Sequence, residues 1–456
     1  MTSARQSPWV RYLPAPWRES LAGMPNVRRA IGNSIWLFAD KIVRMGAGLL
    51  VGVWVARYLG PAQFGLLNYV GAIAAMCGTI ATVGLNGIVV RDLIRAPHQA
   101  DEILGTAVLL QLAGGALAFV LAVLAVDLAR PGEALPRLVV CILGWGLVFK
   151  ATDVVKYRFE AQVRARYTVW VENFAFLLLT GVKIVLVLLR APILAFVWAS
   201  LAEVVLTAGG LLAVYAWQGG RLGAWRVDSR RARALLRDSW PLVFSSLAIM
   251  FYMRIDQVML GQFLGDREVG VYSAAVKVSE IWYFIPGVIV SSVFPLILAS
   301  EKLDLAVYHH RLRMLFGLMT VLSLAVAGAI TAVAPALMRL LYGEAYAGAI
   351  PVLDIHIWGL LFVGWGVVGN SWYLSKNLQR LVLARTVFGA LANVLGNLLL
   401  IPRHGMAGAA VATLASQALA SWLLDFIDPR TRDVFWLKTH SLAYLFNLIL
   451  RRRRIA

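Results

Sequence analysis

Apolar residues run through this chain in blocks of about twenty, the length an α-helix needs to cross a bilayer core at 1.5 Å per residue. Blocks separated by polar or Gly/Pro breaks predict spans at 33–56, 65–90, 102–126, 135–152, 168–189 and 192–216, then at 239–263, 271–299, 312–335, 346–374, 381–401 and 406–427. The pattern divides the chain into a basic N-terminus (1–32), a six-helix bundle (33–216), a basic linker (217–238), a second six-helix bundle (239–428) and a tail (429–456). Arg5, Arg11, Arg18, Arg28 and Arg29 precede the first span with no apolar stretch of a cleavable leader, so that span is expected to be the targeting signal.

Composition points the same way. Of 456 residues 60% are hydrophobic and 15% charged, against about 45–50% and about 25% in soluble domains. That excludes a soluble core, a disordered chain and, with only Cys77 and Cys141, a disulfide scaffold. Both cysteines lie in apolar runs and read as packing residues. The fold class is therefore an all-α integral membrane protein of about twelve transmembrane helices.

The formal charge of +19 would suit nucleic acid if it were clustered, but its distribution says otherwise. Of 43 Lys and Arg, 31 fall on the N-terminus, the even-numbered loops with their span ends, and the tail. Seven fall on the odd-numbered loops and five within spans. This is the positive-inside asymmetry of an even number of helices with both ends cytoplasmic, and it discards nucleic acid in favour of topology and lipid contact. The segment 434–450, followed by four arginines and interrupted by Lys438 and His440, reads as a surface-lying amphipathic tail, since spanning would carry those arginines outward.

Two echoes suggest duplication. Tyr58-Leu59-Gly60 with Gly65 recurs 205 residues later as Phe263-Leu264-Gly265 with Gly270, each after the first span of its half. Gly144-Trp145-Gly146 in the fourth span matches Gly364-Trp365-Gly366 in the tenth. Halves with an even number of spans start on the same side, so the repeat is a parallel pseudo-two-fold, the plan of a transporter with its site between two bundles.

The run Asn33-Ser34-Ile35-Trp36, then Ala56-Arg57-Tyr58-Leu59-Gly60-Pro61 with Phe64-Gly65, and the later stretch from Ile401-Pro402-Arg403-His404-Gly405 to Thr413 resemble the polysaccharide transporter family. These are the O-antigen and exopolysaccharide flippases of the multidrug, oligosaccharidyl-lipid and polysaccharide exporter superfamily. The resemblance covers roughly residues 26–428, and its motifs name no substrate. It implies a V-shaped two-bundle protein that moves undecaprenyl-diphosphate-linked glycans outward across the bacterial inner membrane, with a polysaccharide polymerase and a chain-length regulator as candidate partners.

Ten ionisable residues fall well inside the predicted spans: Asp40, Lys41, Arg44, Lys183, Glu203, Arg254, Asp256, Lys277, Glu280 and Asp354. At about 2.5–3.5 kcal/mol each in lipid they must face a cavity or one another. Asn33, Trp36, Asp40, Arg44 and Gly48 share a helical face, which puts Arg44 about 16 Å deep. A diphosphate head group needs cations in a low-dielectric cavity, and the candidates are Arg44, Arg254 and Lys277, then Lys41 and Lys183. Asp40, Glu203, Asp256, Glu280 and Asp354 are the candidates for coupling to a proton or sodium gradient. The competing reading pairs Asp40 with Arg44 and Glu280 with Lys277 as helix locks, with Lys183 snorkelling to the interface. His356 reads as a packing residue, and Trp358, Trp365 and Trp372, seven apart, as a packing or lipid-facing stripe.

Gly364-Trp365-Gly366-Val367-Val368-Gly369 matches a dinucleotide fingerprint but follows no strand. No Walker A motif, metal-spaced histidines or long outer loop is present, so neither a cofactor nor an enzyme is expected. The leading expectation is a lipid-linked oligosaccharide flippase working by alternating access. A cation-coupled drug antiporter, which would want an acidic lumen, and a non-transporting scaffold for glycan synthesis are the alternatives.

Overall fold

The computed structural model describes residues 25–301 and 304–453, with side chains described over 44–301 and 304–442. Among these residues there is no strand. The helices of the first half are α1 (Pro25–Ala81), α2 (Asn86–Arg95), α3 (Ala100–Ala129), α4 (Ala134–Phe149), α5 (Val154–Ala161), α6 (Arg166–Leu188) and α7 (Ile193–Trp217). The second half holds α8 (Ser229–Phe263), α9 (Asp266–Glu280), α10 (Phe284–Glu301), α11 (Leu305–Tyr342), α12 (Ala349–His356), α13 (Gly359–Ser375), α14 (Gln379–Ala418), α15 (Leu424–Ile427) and α16 (Arg432–Arg453).

Ten helical stretches among the described residues are long and apolar enough to cross a membrane. Two of them, Arg44–Arg95 and Gln379–Ile427, run 52 and 49 residues. At 1.5 Å per residue each is more than twice the roughly 30 Å core, so each makes two passes. The reversals sit at Gly60 (φ 72°, ψ 169°) and Gly405 (φ 57°, ψ −138°), positive-φ positions that a side chain would strain. Pro61 follows Gly60 directly and supplies a preset φ for the helix that resumes there. Twelve passes result, as the hydrophobic pattern predicts, in two bundles. The eighth pass bends at Ile281–Tyr283 and the tenth at Ile357–Trp358, where α-helix gives way to a tighter turn or a break.

The duplication is visible in three dimensions. Gly265 adopts φ 94°, ψ −179°, close to Gly60. The two helices that follow cross at Gly65 and Gly270. A Cβ on Gly65 would lie 1.6 Å from the Asp266 carbonyl oxygen, and one on Gly270 would lie 2.0 Å from that of Pro61. We call this the turn end. Tyr346 closes it further by donating to the Ala56 carbonyl at 2.7 Å.

The opposite, linker end is built differently. There the start of α8 rests on the first bundle: Leu242, Ser239 and Val243 crowd Gly84, and Arg91 meets Asp238 at 2.9 Å. Away from α8, the extensive contacts between the bundles are all at the turn end, so a cleft opens toward the linker.

One expectation fails. The tail does not lie along a surface. Val434, Lys438 and Ser441 are buried, α16 packs against α11, and the Ser441 and Thr320 hydroxyls are 2.7 Å apart, fifteen residues into α11. Lys438 anchors it into the second bundle by joining Arg385 of α14 on Asp425, the fully buried carboxylate at the end of the twelfth pass.

Candidate functional site

The cleft wall of the second bundle is formed by α8 and α9. Arg254 lies nine residues before the end of α8 and Lys277 eleven residues into α9, so both sit about 14–17 Å below the turn end. Glu280, one helical turn past Lys277, bonds to Arg254 at 3.4 Å rather than to Lys277. Lys277 turns the other way and is exposed. Its ammonium stands 4.4 Å from the centre of the Phe64 ring on the opposite bundle, with no carboxylate at ion-pair distance among the described residues. The charges that act on it are those of Arg254, Glu280 and, across the cleft, Lys183.

Lys183 does not snorkel. It forms a 3.0 Å pair with Glu203, each side chain about a quarter exposed. Structure therefore brings Arg254, Lys277 and Lys183 into one neighbourhood near the shut end. Arg44 belongs elsewhere, about 24 Å from Gly60 along α1. It bonds Glu172 at 3.2 Å and lies over Phe176, while Lys156 bridges Glu172 (2.6 Å) and Asp153 (2.8 Å). Beside this network a pocket of about 170 Å3 is lined by Lys150, Asp153, Lys156, Glu203 and Thr207 among others. The side chains of Asp40 and Lys41 lie outside the described residues.

The remaining carboxylates differ in kind. Asp256 is buried and accepts from the Tyr272 hydroxyl and, at 2.8 Å, from the Gln257 amide. Asp354 keeps one buried oxygen with no hydrogen-bond partner among the described residues. His356 packs between Tyr272 and Tyr283, with Ser279 at 2.7 Å from Nδ1, as a satisfied packing residue would. Trp365 is fully buried and donates to Thr320, and Trp372 is buried, while Trp358 is exposed, so the seven-residue stripe is mainly packing. Among the described residues no group of His, Cys, Asp and Glu is placed to hold a metal ion.

Sequence reasoning missed several charges. Glu172, Lys150 and Lys156 complete the lower cluster of the first bundle. Asp425, fully buried, takes both Arg385 (2.5 Å) and Lys438 (2.6 Å) and accepts from Tyr373. At the turn end Arg130 grips Asp266 at 2.6 and 3.0 Å, the Gly261 carbonyl at 3.3 Å and the face of Tyr69 at 4.0 Å. Burial pulls the Arg130 pKa down, but the hydrogen bonds to Asp266 more than offset this and leave it raised. The signal was in the sequence: Glu172, Arg385 and Asp425 all fall within the predicted spans, close to their ends.

The family described as polysaccharide biosynthesis protein matches residues 30–301. Over 433 residues the chain is 24% identical to a probable low-salt glycan biosynthesis flippase, Agl15, of Haloferax volcanii, covering 90% of this chain and 87% of that one. Over 126 residues, 25% of this chain and 30% of the other, it is 32% identical to a lipid III flippase of Escherichia coli. A solved structure of the lipid II flippase MurJ in an inward closed conformation superposes with a TM-score of 0.71 at 13% identity, covering 91% of this chain and 93% of that one. That likeness establishes a shared two-lobe helical fold.

Proposed function

The chain belongs to the polysaccharide biosynthesis protein family, and we propose that it is a flippase carrying a polyprenyl-diphosphate-linked oligosaccharide from one leaflet of the bacterial inner membrane to the other. An O-antigen or exopolysaccharide repeat unit is the cargo in this reading. The observation that carries it is Lys277: an exposed ammonium in the cleft with no carboxylate beside it among the described residues, next to Arg254 and Lys183. Lys277 stands within a membrane span against the Phe64 ring, and a cation at that depth with no counter-ion beside it is costly, so the group calls for an anionic ligand. A diphosphate would meet Lys277 directly and compete with Glu280 for Arg254, whose forked donors suit phosphate oxygens. The polyprenyl tail stays in lipid.

Transport then proceeds by alternating access. The turn end opens as the linker end shuts, with both termini expected on the cytoplasmic side. Relatives named as glycan and lipid-intermediate flippases support a transporter rather than an enzyme. Coupling to a proton or sodium gradient is assigned to Asp256 and Asp354, the two candidate carboxylates without a cation at ion-pair distance among the described residues.

The test is a reconstituted vesicle with a fluorescent polyprenyl-diphosphate oligosaccharide in both leaflets and a non-permeant quencher. Full quenching only with protein present, lost in Lys277→Ala, supports the reading. Failure alongside gradient-driven efflux of a cationic dye would replace it with the antiporter.

A further inference from the structure

At the linker end of the first bundle four arginines gather without a carboxylate. Arg164 and Arg166 flank the break between α5 and α6, Arg158 lies on α5, and Arg221 follows α7. Among the described residues none of the four forms an ion pair, and all except Arg158 are exposed. Arg158 spends its guanidinium on Tyr215, 5.0 Å from the ring centre, with a 3.2 Å hydrogen bond to its hydroxyl. Glu160, the nearest acid in sequence, interacts with Lys156, Glu172 and Asp153 instead.

Beside these charges lies an aromatic shelf. Arg166 donates to the Tyr167 hydroxyl at 2.9 Å and lies 4.8 Å over its ring. The edges of Trp170 and Trp217 meet that ring at 6.3 and 6.2 Å, and the two indoles are 60% and 73% exposed. Val163 is 84% exposed at φ 57°, a left-handed conformation that a β-branched residue adopts only under constraint. The turn is held by Arg164 N donating to the Phe159 carbonyl at 2.7 Å, which pushes Val163 outward. In water two exposed indoles and a strained valine beside three exposed arginines with no ion-pair partner among the described residues gain nothing. At a membrane interface each has a partner, since tryptophans favour the head-group level and arginines favour phosphate.

We propose that this corner is a binding site for an anionic glycerophospholipid. Its phosphodiester sits between Arg164 and Arg166, and its glycerol and upper acyl chain lie on Val163, Trp170 and Trp217. The forked guanidinium matches the phosphodiester oxygens, and the shelf supplies the apolar half that a free phosphate could not use. The site lies outside the cleft and is independent of the cargo that the cleft carries.

The experiment uses the full-length protein in detergent, with fluorescent phosphatidylglycerol and phosphatidylcholine of identical acyl chains. Wild type should retain phosphatidylglycerol over phosphatidylcholine, and millimolar inorganic phosphate should leave it bound. The pair Arg164→Gln and Arg166→Gln should lose retention about tenfold or more, with Lys at both positions restoring most of it. Trp217→Ala, at a side chain too exposed to hold the bundle together, should weaken retention at least threefold. Unchanged retention in the Gln pair or in Trp217→Ala overturns the proposal, and so does displacement by inorganic phosphate.

Discussion

At the turn end two helices cross with a Cβ excluded on both sides, at 1.6 and 2.0 Å, whereas at the linker end one helix, α8, rests on Gly84 at 3.1–3.2 Å and is held by side-chain ion pairs. Gly65 and Gly270 leave no room for a carbon between the crossing helices, and Arg130, Gln262 and Tyr346 tie polar groups across the seam. The linker end has the Arg91–Asp238 pair, its side chains 40% and 37% exposed, and the packing around Gly84. Contacts of the first kind open all together or stay shut. Those of the second kind are separate side-chain pairs that can break one at a time, which is what the proposed transport cycle asks of this end.

The comparison breaks most completely at the glycines. Gly65→Ala puts a methyl 1.6 Å from a backbone oxygen that cannot rotate away. A loss of about 3 kcal/mol or more is expected, with the bundles forced apart there. Tyr346→Cys, added to that variant in a background without Cys77 and Cys141, should make the seam reactive to a non-permeant thiol reagent. No gain in reactivity in a folded variant would refute the tight crossing.

Arg130→Ala comes next. It strands Asp266, one quarter exposed, and should cost about 2 kcal/mol, less than the full penalty for a buried orphan charge. The same thiol readout should rise partially. Arg130→Lys should restore only some of the closure, because it keeps the charge but loses the fork.

Lys277→Ala separates closure from cargo. It lies below the seam and pairs with no carboxylate among the described residues, so thermal stability should move by less than about 0.5 kcal/mol. Transport in the vesicle assay should fall at least about tenfold, the worth of roughly 1.4 kcal/mol of lost anion contact. A variant that loses stability and transport together would make Lys277 a member of the frame.

The smallest effect belongs to the linker end. Arg91→Ala should cost at most about 1 kcal/mol, and the cost should shrink as salt is raised. A thermal melt at low and at high ionic strength checks this. A large, salt-independent loss would mean that the linker end is locked as firmly as the turn end.

Much of this frame was legible in the sequence because bilayer thickness sets block length and leaves few alternatives. The twelve passes, the two bundles and the echo of Gly60 at Gly265 all follow from apolar runs and spacing. What spacing could not show is which helix faces which. Lys277 and Glu280 share a face of α9, so the short-range pairing looked natural. Glu280 instead takes Arg254, 26 residues away, and Arg44 takes Glu172, 128 residues away. Pairing across helices depends on rotation about each axis, which the hydrophobic blocks leave nearly free when a helix is apolar all round. The tail was misread for a related reason. Lys438 looks too polar to be buried until Asp425 is seen facing it, while His440 stays exposed on the other side of the helix. The charge tally reads the loop of Arg164 and Arg166 as topology and general lipid contact, and it cannot single out this corner because it ignores the indoles beside it.

The reciprocal glycines have one further consequence. Gly65 touches the segment that starts at Asp266, and Gly270 touches the segment that starts at Pro61. This is a self-complementary contact of the kind two identical subunits make across their symmetry axis. When a gene doubles and fuses, most positions in the two copies are released from each other and drift apart. A residue that meets its own image is not released. Each copy remains the other's environment, so a change at Gly65 is tolerated only if the helix carrying Gly270 yields as well. The seam is where the two halves present the same glycine and the same close approach to one another, while their cleft walls carry different charges.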